Sequence, residues 1–368
     1  MARRKSYYKK IKKLSPQSII LSIIFLIIAV AGYYVYDKFF KEDDPFIAPK
    51  GAISFHFMTL GNQSSGDSIY VKAGDNDILI DAGSTTGSVD DIKGYIDNYV
   101  TDNTLEYVII THADYDHLAG FGKENGSIFD LYDCETIIDF PLTENDSATY
   151  ETYLTERQTE INLGAKHYTA LECYNNQNGA QRIYDLSGDG NVKMEILYNY
   201  YYENDASNEN DYSVCVMFHH GSKKFLFTGD LEESGEEKLA EKYSFSQVEL
   251  FKAGHHGSET SSNEILLKEI KPKICVITCV LGDKHDFVRK VFLDRISKYT
   301  EKVYVTSICT EGYTGGKEFA DMNGTVIVTS DENVGVTVVG TNNSTLLKDT
   351  AWITGMNRMP DNWKTASV

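Results

Sequence analysis

The stretch "THADYDHLAG", Thr111 to Gly120, carries two histidines and two aspartates within six consecutive positions: His112, Asp114, Asp116 and His117. Imidazole nitrogens and carboxylate oxygens together are the ligand set of borderline-hard divalent cations, above all Zn2+ and Mn2+. Four other segments share the layout of an apolar run closed by ionisable residues. They are "ILIDAG" with Asp81, "ENDYS" within Asn208 to Ser213, "FLFTGD" with Asp230, and "ELFKAGHHGS" with His255 and His256. A lone aspartate after a strand is readily explained as a cap for the next helix. Five such ends in one chain read instead as a distributed site, because a strand fixes its last side chain while the loop beyond it varies.

To hold these ends in place the chain needs consecutive strands, and its hydropathy pattern contains them. "ISFHFMTL", "SIYVKAG" and "DILIDAG" are apolar runs separated by the polar turns "GNQSSGDS" and "GDND". "SVDDIKGYIDNYV" places Val89, Ile92, Tyr95, Ile96 and Tyr99 on one helical face, and "LEYVIITH" is a short strand ending at His112. A helix is expected within 148–163, followed by strands at "RIYDL", "VKMEILYNYY", "YSVCVMF" and "KFLFTGD". Helices and strands then alternate from "EESGEEKLAEKY" to "KVYVTSI", and "TVIVTS" with "GVTVVG" closes as a hairpin. This order predicts sheets covered by helices, an α/β layered domain. "HHGS" occurs twice, at 219–222 and 255–258. The first lies between two apolar strands and reads as a hairpin turn with His219 and His220 exposed; the second follows "ELFKAG" and precedes a helix. "DLSGDGNVKMEI" begins like a calcium loop, but Ile196 stands where a bidentate glutamate belongs, so a hairpin is expected there. His56 and His167 have no partner pattern and read as structural.

Taken in order, these motifs resemble the metallo-β-lactamase superfamily, whose signature His-x-His-x-Asp-His ends a strand and feeds a helix. Within it they are most similar to the metallo-β-lactamase domain of the ComEC competence proteins. Those relatives carry His-x-Asp-x-Asp-His, matched by His112, Asp114, Asp116 and His117, with an early "LIDAG", a "TGD" strand end and "HHGS-x-T-S", here "HHGSETS". The likeness runs from about residue 53 to about 330. It implies an αββα sandwich, two mixed sheets flanked by helices, over 53–340, holding one or two divalent ions, Zn or Mn. By this resemblance His112 and Asp114 serve one ion, Asp116 and His117 the other, and Asp230 bridges both. His255 is the preferred further ligand, His256 the alternative, and Asp81 orients a ligating histidine from behind. Many members complete the first site with another histidine, where this chain has "NENDYS". Asp114 in place of histidine hardens that site and tilts it toward Mn2+. The catalytic candidates are Asp116 and Asp230, expected to anchor a metal-bridging hydroxide, and His285 in "LGDKHDF", either a substrate contact or proton donor or else a helix-cap or surface histidine.

Residues 1–50 hold ten Lys/Arg against four Asp/Glu, which leaves 25 basic and 50 acidic residues in 51–368, a net charge of −25. So acidic a body disfavours loose binding of DNA, although a local basic channel is compatible with it. The charge-free run Ile19 to Tyr36 is about the length of a spanning helix and follows seven basic residues. The chain therefore divides into a basic cytoplasmic segment (1–17), a transmembrane signal anchor (18–37), a linker (38–52), the domain and a tail (341–368). The domain would then lie outside the cell membrane, or be secreted if the small-residue motif at Ala29 to Ala31 is cleaved. Six cysteines without a C-x-x-C pair mostly sit in apolar runs, as small core residues do. The leading expectation is a membrane-anchored, metal-dependent hydrolase of a phosphodiester polymer or small molecule. The alternatives are a hydrolase of lactone, amide or thioester bonds, and a non-catalytic binding module that keeps a structural metal.

Overall fold

The computed structural model describes residues 51–62, 64–281, 284–307 and 322–364. The expected N-terminal anchor and Cys309 lie outside them, and among the described residues no helix is long and apolar enough to cross a membrane. The five described cysteines are buried and free.

Two mixed sheets carry the fold. In the first, β1 (Ile53–Phe57), β2 (Ile69–Ala73) and β3 (Asn76–Ile80) form an antiparallel meander. β4 (Thr104–Ile109), β5 (Asp133–Asp139) and β6 (Lys166–Thr169) extend it in parallel beyond β3. The second sheet repeats this plan. β7 (Ile183–Asp185), β8 (Val192–Ile196), β9 (Val216–His220) and β10 (Lys223–Phe227) are antiparallel, and β11 (Leu250–Lys252), β12 (Ile274–Ile277) and β13 (Val303–Val305) continue in parallel. The hairpin of β14 (Val326–Asp331) and β15 (Gly335–Gly340) returns to the first sheet, with β14 pairing β1.

The inner faces meet in one apolar layer in which Phe55 of β1 touches Phe218, Phe225 and Phe227 of the other sheet at centroid distances of 4.9–5.3 Å. Each such ring adds roughly 1.5–3 kcal/mol of burial. Helices cover the outer faces. α1 (Ser88–Ile96) buries Val89, Ile92 and Ile96 against the first sheet. Over the second, α2 (Glu233–Lys242), α3 (Glu264–Ile270) and α4 (Lys290–Ile296) bury Leu239, Leu266, Leu267, Phe292 and Leu293. Trp352 and Trp363 of the tail pack into that same outer core. The sequence expectation of a helix within 148–163 matches Ala148–Leu163, which starts at Ser147, whose hydroxyl accepts from the Tyr150 N–H, and stops at Gly164 with φ +124°.

Two local expectations need correction. The first "HHGS" does not put its histidines in the turn: His219 and His220 are the last residues of β9, and only Gly221 and Ser222 form the turn to β10. His220 is buried, its Nδ1 2.9 Å from Ser330 Oγ, and half-buried His219 pairs with Glu195 at 3.0 Å. "ENDYS" does not end a strand either. It forms a short 3-10 turn, Glu209–Tyr212, opened by Asn208, whose side chain accepts from the Asp211 N–H.

Candidate metal centre

Parallel strands deliver their C-terminal ends to the same edge of a sheet, so β3 and β4 of one sheet and β10 to β12 of the other each present a row of loop starts. Asp81 follows β3, in a left-handed conformation (φ 58°) that turns its carboxylate inward. That buried carboxylate accepts the Thr111 N–H at 2.8 Å, the Thr111 hydroxyl at 2.7 Å and the His117 Nδ1–H at 2.8 Å. Having donated to Asp81, the Thr111 hydroxyl is an acceptor for His112 Nδ1 at 3.0 Å. His256 Nδ1 lies 2.7 Å from the Thr278 carbonyl, which can only accept. All three rings therefore commit their proton at Nδ1, and each offers a lone pair at Nε2.

These lone pairs converge on carboxylates rather than on donors. His117 Nε2 is 3.1 Å from Asp230 Oδ2, and His256 Nε2 is 3.3 Å from Asp230 Oδ2 and 3.5 Å from Asp116 Oδ2. Nε2 of His112 and of His256 are buried without a hydrogen-bond partner. Acceptors facing acceptors at these distances are stable only with positive charge between them. Without an ion that charge is a proton. Burial alone would lower His256, but Asp230 and Asp67 lift it to about 10; for His117, Asp230 and Asp81 likewise overcome burial and hold it well above its usual value. A divalent cation takes the place of these protons. Ligand atoms of His112, His117 and Asp230 lie within 4.8 Å of one another, as do those of Asp116, His117 and His256, so the residues fit one or two ions.

The remaining expected residues distribute around this cluster. Asp114 Oδ2 is 3.7 Å from His112 Nε2, on a side chain 40% exposed. The preference for His255 over His256 is corrected by the backbone. Both residues are left-handed (φ 45° and 54°), and that double turn sends the His256 ring inward and the His255 ring outward. His255 Nδ1 meets Glu232 Oε1 and Thr260 Oγ1, each at 3.2 Å, while its backbone N–H reaches Asp230 Oδ1 at 3.2 Å. His285 stacks on Phe287 (5.5 Å, 19°), away from the ligand atoms but on the same cavity. In "NENDYS" no imidazole takes part; Asn210 lines the cavity and Ser213 Oγ accepts the Asp230 N–H at 3.0 Å. Gly83 lets the loop after β3 press against the helical turn Tyr115–Leu118, since a Cβ there would fall 1.4 Å from the Asp116 carbonyl oxygen. Two buried residues went unnoticed in the sequence, Asp67 and Lys252. Lys252 contacts both Asp67 and Asp230, and its signal was a lysine closing the apolar strand "LFK".

Above the cluster opens a cavity of about 480 Å³ whose lining includes Asp114, Asp116 and Asp230, the hydroxyls of Ser64, Ser65, Ser84 and Thr85, exposed Tyr115, and Lys284 with His285. The pattern of the Metallo-beta-lactamase superfamily matches residues 61–184 and 208–278, more than half of the chain, and takes in every expected metal ligand. The chain belongs to the metallo-beta-lactamase superfamily. This member is ComEC-like: it is 25% identical over 258 residues to Competence protein ComA of Neisseria gonorrhoeae (68% of this chain, 31% of that protein). It is 24% identical over 204 residues to Recombination protein 2 of Haemophilus influenzae (55% and 21%). The chain thus spans about a fifth to a third of these curated relatives. Among solved structures, the metallo-beta-lactamase fold protein YhfI from Bacillus subtilis aligns with 70% of this chain and 97% of its own, at 15% identity and a TM-score of 0.42.

Proposed function

We propose that this superfamily member is a metal-dependent phosphodiesterase. The observation that carries the reading is the pairing of three oriented imidazoles and the Asp116 and Asp230 carboxylates with a cavity that also has cationic and hydroxyl groups on its lining. Two divalent ions held there by His112, His117, His256, Asp116 and Asp230 would supply an activated water near neutral pH and a Lewis acid for a leaving oxygen. His112, His117 and His256 hold ligand lone pairs in fixed directions, because Asp81, Thr111 and the Thr278 carbonyl lock their tautomers. Asp116, half-buried at the cavity floor, is placed to accept a hydrogen bond from the attacking water. Lys284 and the Thr85 hydroxyl offer donors to non-bridging phosphoryl oxygens. His285, supported by Phe287, can return a proton to the leaving oxygen. The same ions would serve a lactone, amide or thioester; Lys284 beside His285 is what favours an anionic substrate. Tethering by residues 18–37, with the domain on the outer face of the cell membrane, completes the proposal and rests on the sequence alone.

The test is a substrate panel on the purified chain with Mn2+ or Zn2+: bis-para-nitrophenyl phosphate, a lactone and a β-lactam. Metal-dependent turnover of the phosphodiester that disappears in Asp116→Ala is expected. Preferential lactone hydrolysis, or turnover unaffected by Asp116→Ala, refutes the reading.

A further inference from the structure

Among the described residues Lys252 is the one buried lysine or arginine. Its ammonium group has three hydrogens and meets three oxygens: Asp67 Oδ2, Asp230 Oδ1 at 3.0 Å and the Gly229 carbonyl at 3.2 Å. Asp67 is itself fixed, since its Oδ1 accepts the Thr278 hydroxyl and lies 3.4 Å from His256 Nδ1. The two oxygens of Asp230 consequently live in different surroundings. Oδ1 receives Lys252 and the His255 N–H at 3.2 Å, while Oδ2 faces the Nε2 atoms of His117 and His256.

We propose that Lys252 is a positioning residue that holds Asp230 by Oδ1, so that only Oδ2 is presented to the metal ions, and that with Asp67 it sets the charge those ions experience. This rests on the metal reading above. A carboxylate oxygen already accepting two charge-assisted or backbone hydrogen bonds is a poor metal ligand, whereas its partner is free of donors once the imidazoles are neutral. Without Lys252 both oxygens of Asp230 become available and a positive charge leaves the immediate surroundings of the ions. Bare cations should then bind more tightly, in a geometry the rest of the cavity was not built for. A lysine that merely filled space and balanced charge would, when removed, lower stability and weaken or leave unchanged the affinity for metal.

The experiment uses the full chain in detergent with Mn2+ alone as probe, comparing wild type, Lys252→Met, Lys252→Arg and the double variant Lys252→Met/Asp67→Asn. The double variant removes both members of the pair and strands no carboxylate on Asp67, so it keeps the test valid if Lys252→Met does not fold. Dissociation constants come from calorimetry and the number of ions from elemental analysis, with thermal midpoints of the metal-free proteins measured alongside. Lys252→Met should bind its first Mn2+ about tenfold more tightly than wild type although its metal-free midpoint falls, the double variant, whose net charge at the cluster equals that of wild type, about threefold more tightly through the freed Asp230 Oδ1 alone, and Lys252→Arg should restore near wild-type affinity. Affinity that is unchanged or weaker in both neutral variants overturns the positioning role. A wild type that binds no Mn2+ overturns the metal reading on which that role stands, and the two failures are told apart by the wild-type measurement.

Discussion

Replacing Asp81 by asparagine tests whether ring orientation is what turns this histidine cluster into a ligand set. The wild-type carboxylate accepts three hydrogen bonds of 2.7–2.8 Å, two from Thr111 and one from His117 Nδ1. An amide of the same size has one acceptor atom instead of two. If its oxygen stays on the Thr111 N–H, its NH2 faces His117 Nδ1 and donates to it. The ring proton then moves to Nε2, the atom 3.1 Å from Asp230 Oδ2, and that atom can no longer ligate. The Thr111 hydroxyl loses its acceptor at the same time, which loosens its hold on His112 Nδ1, 3.0 Å away. If the amide is reversed, its NH2 opposes the buried Thr111 N–H, and an unsatisfied pair of donors costs about 1–3 kcal/mol. Partners behind metal-ligating histidines are worth 10–100-fold in affinity, about 1.4–2.8 kcal/mol. Because Asp81 serves two of the three rings, the upper end, about 100-fold, is expected. Competition of wild type and Asp81→Asn against a chromophoric chelator for Zn2+ gives the ratio, with circular dichroism to establish that the variant is folded. A folded variant whose affinity changes less than threefold would refute the claim that tautomer control builds the site.

The other outcomes follow from the same geometry. His256→Ala should lose at least one tightly bound ion by elemental analysis, whereas His255→Ala should keep the wild-type count, since its ring faces Glu232 and Thr260; the opposite order would restore His255 as the ligand. Gly83→Ala must displace the Asp116 carbonyl, which a Cβ would meet at 1.4 Å, and should lower stability in urea by about 1–3 kcal/mol together with metal affinity; an unchanged midpoint contradicts the packing. Burial lowers His56 from 6.5 to about 3, so the unfolded chain takes up a proton that the fold refuses. That contribution to stability is present above pH 6.5 and is lost as pH falls from 6.5 toward 3, at up to about 1.4 kcal/mol per pH unit. The urea midpoint of His56→Gln should therefore depend less on pH between 7 and 4 than that of wild type.

What the sequence revealed and what it hid divide along a physical line. Strand ends are written in local hydropathy, so Asp81, the residues from His112 to His117 and Asp230 could be found without knowing how the sheets pair. Which of two adjacent histidines turns inward depends on the left-handed backbone at 255 and 256, which no periodicity of 2 or 3.6 encodes. The strand register hid the first "HHGS" in the same way: β9 runs two residues further than a turn centred on the histidines would allow, and His220 ends buried beside Ser330. Asp67 and Lys252 escaped because their meaning lies in contacts made across the fold with Asp230, Thr278 and each other. Histidine and aspartate announce metal chemistry by type; a lysine announces nothing until its surroundings are known.

Charge at the centre reconciles an acidic body with the anionic substrate we propose. Asp67, Asp81, Asp114, Asp116 and Asp230 bring five formal negative charges to the cluster and Lys252 returns one positive, so four remain. Two divalent ions would cancel those four, and Lys284 on the cavity lining would then tip the balance positive where a substrate would enter. A single ion leaves the cluster with two negative charges beneath the cavity, enough to repel a phosphodiester at contact range, where screening by salt is weak. On this account the aspartate at 114 does more than harden one site: with histidine there, two ions would leave an excess positive charge at the cluster. The acidic surface beyond the cavity would then act against loose adsorption of polyanions, and only a phosphodiester that reached the charge-balanced floor would gain from it.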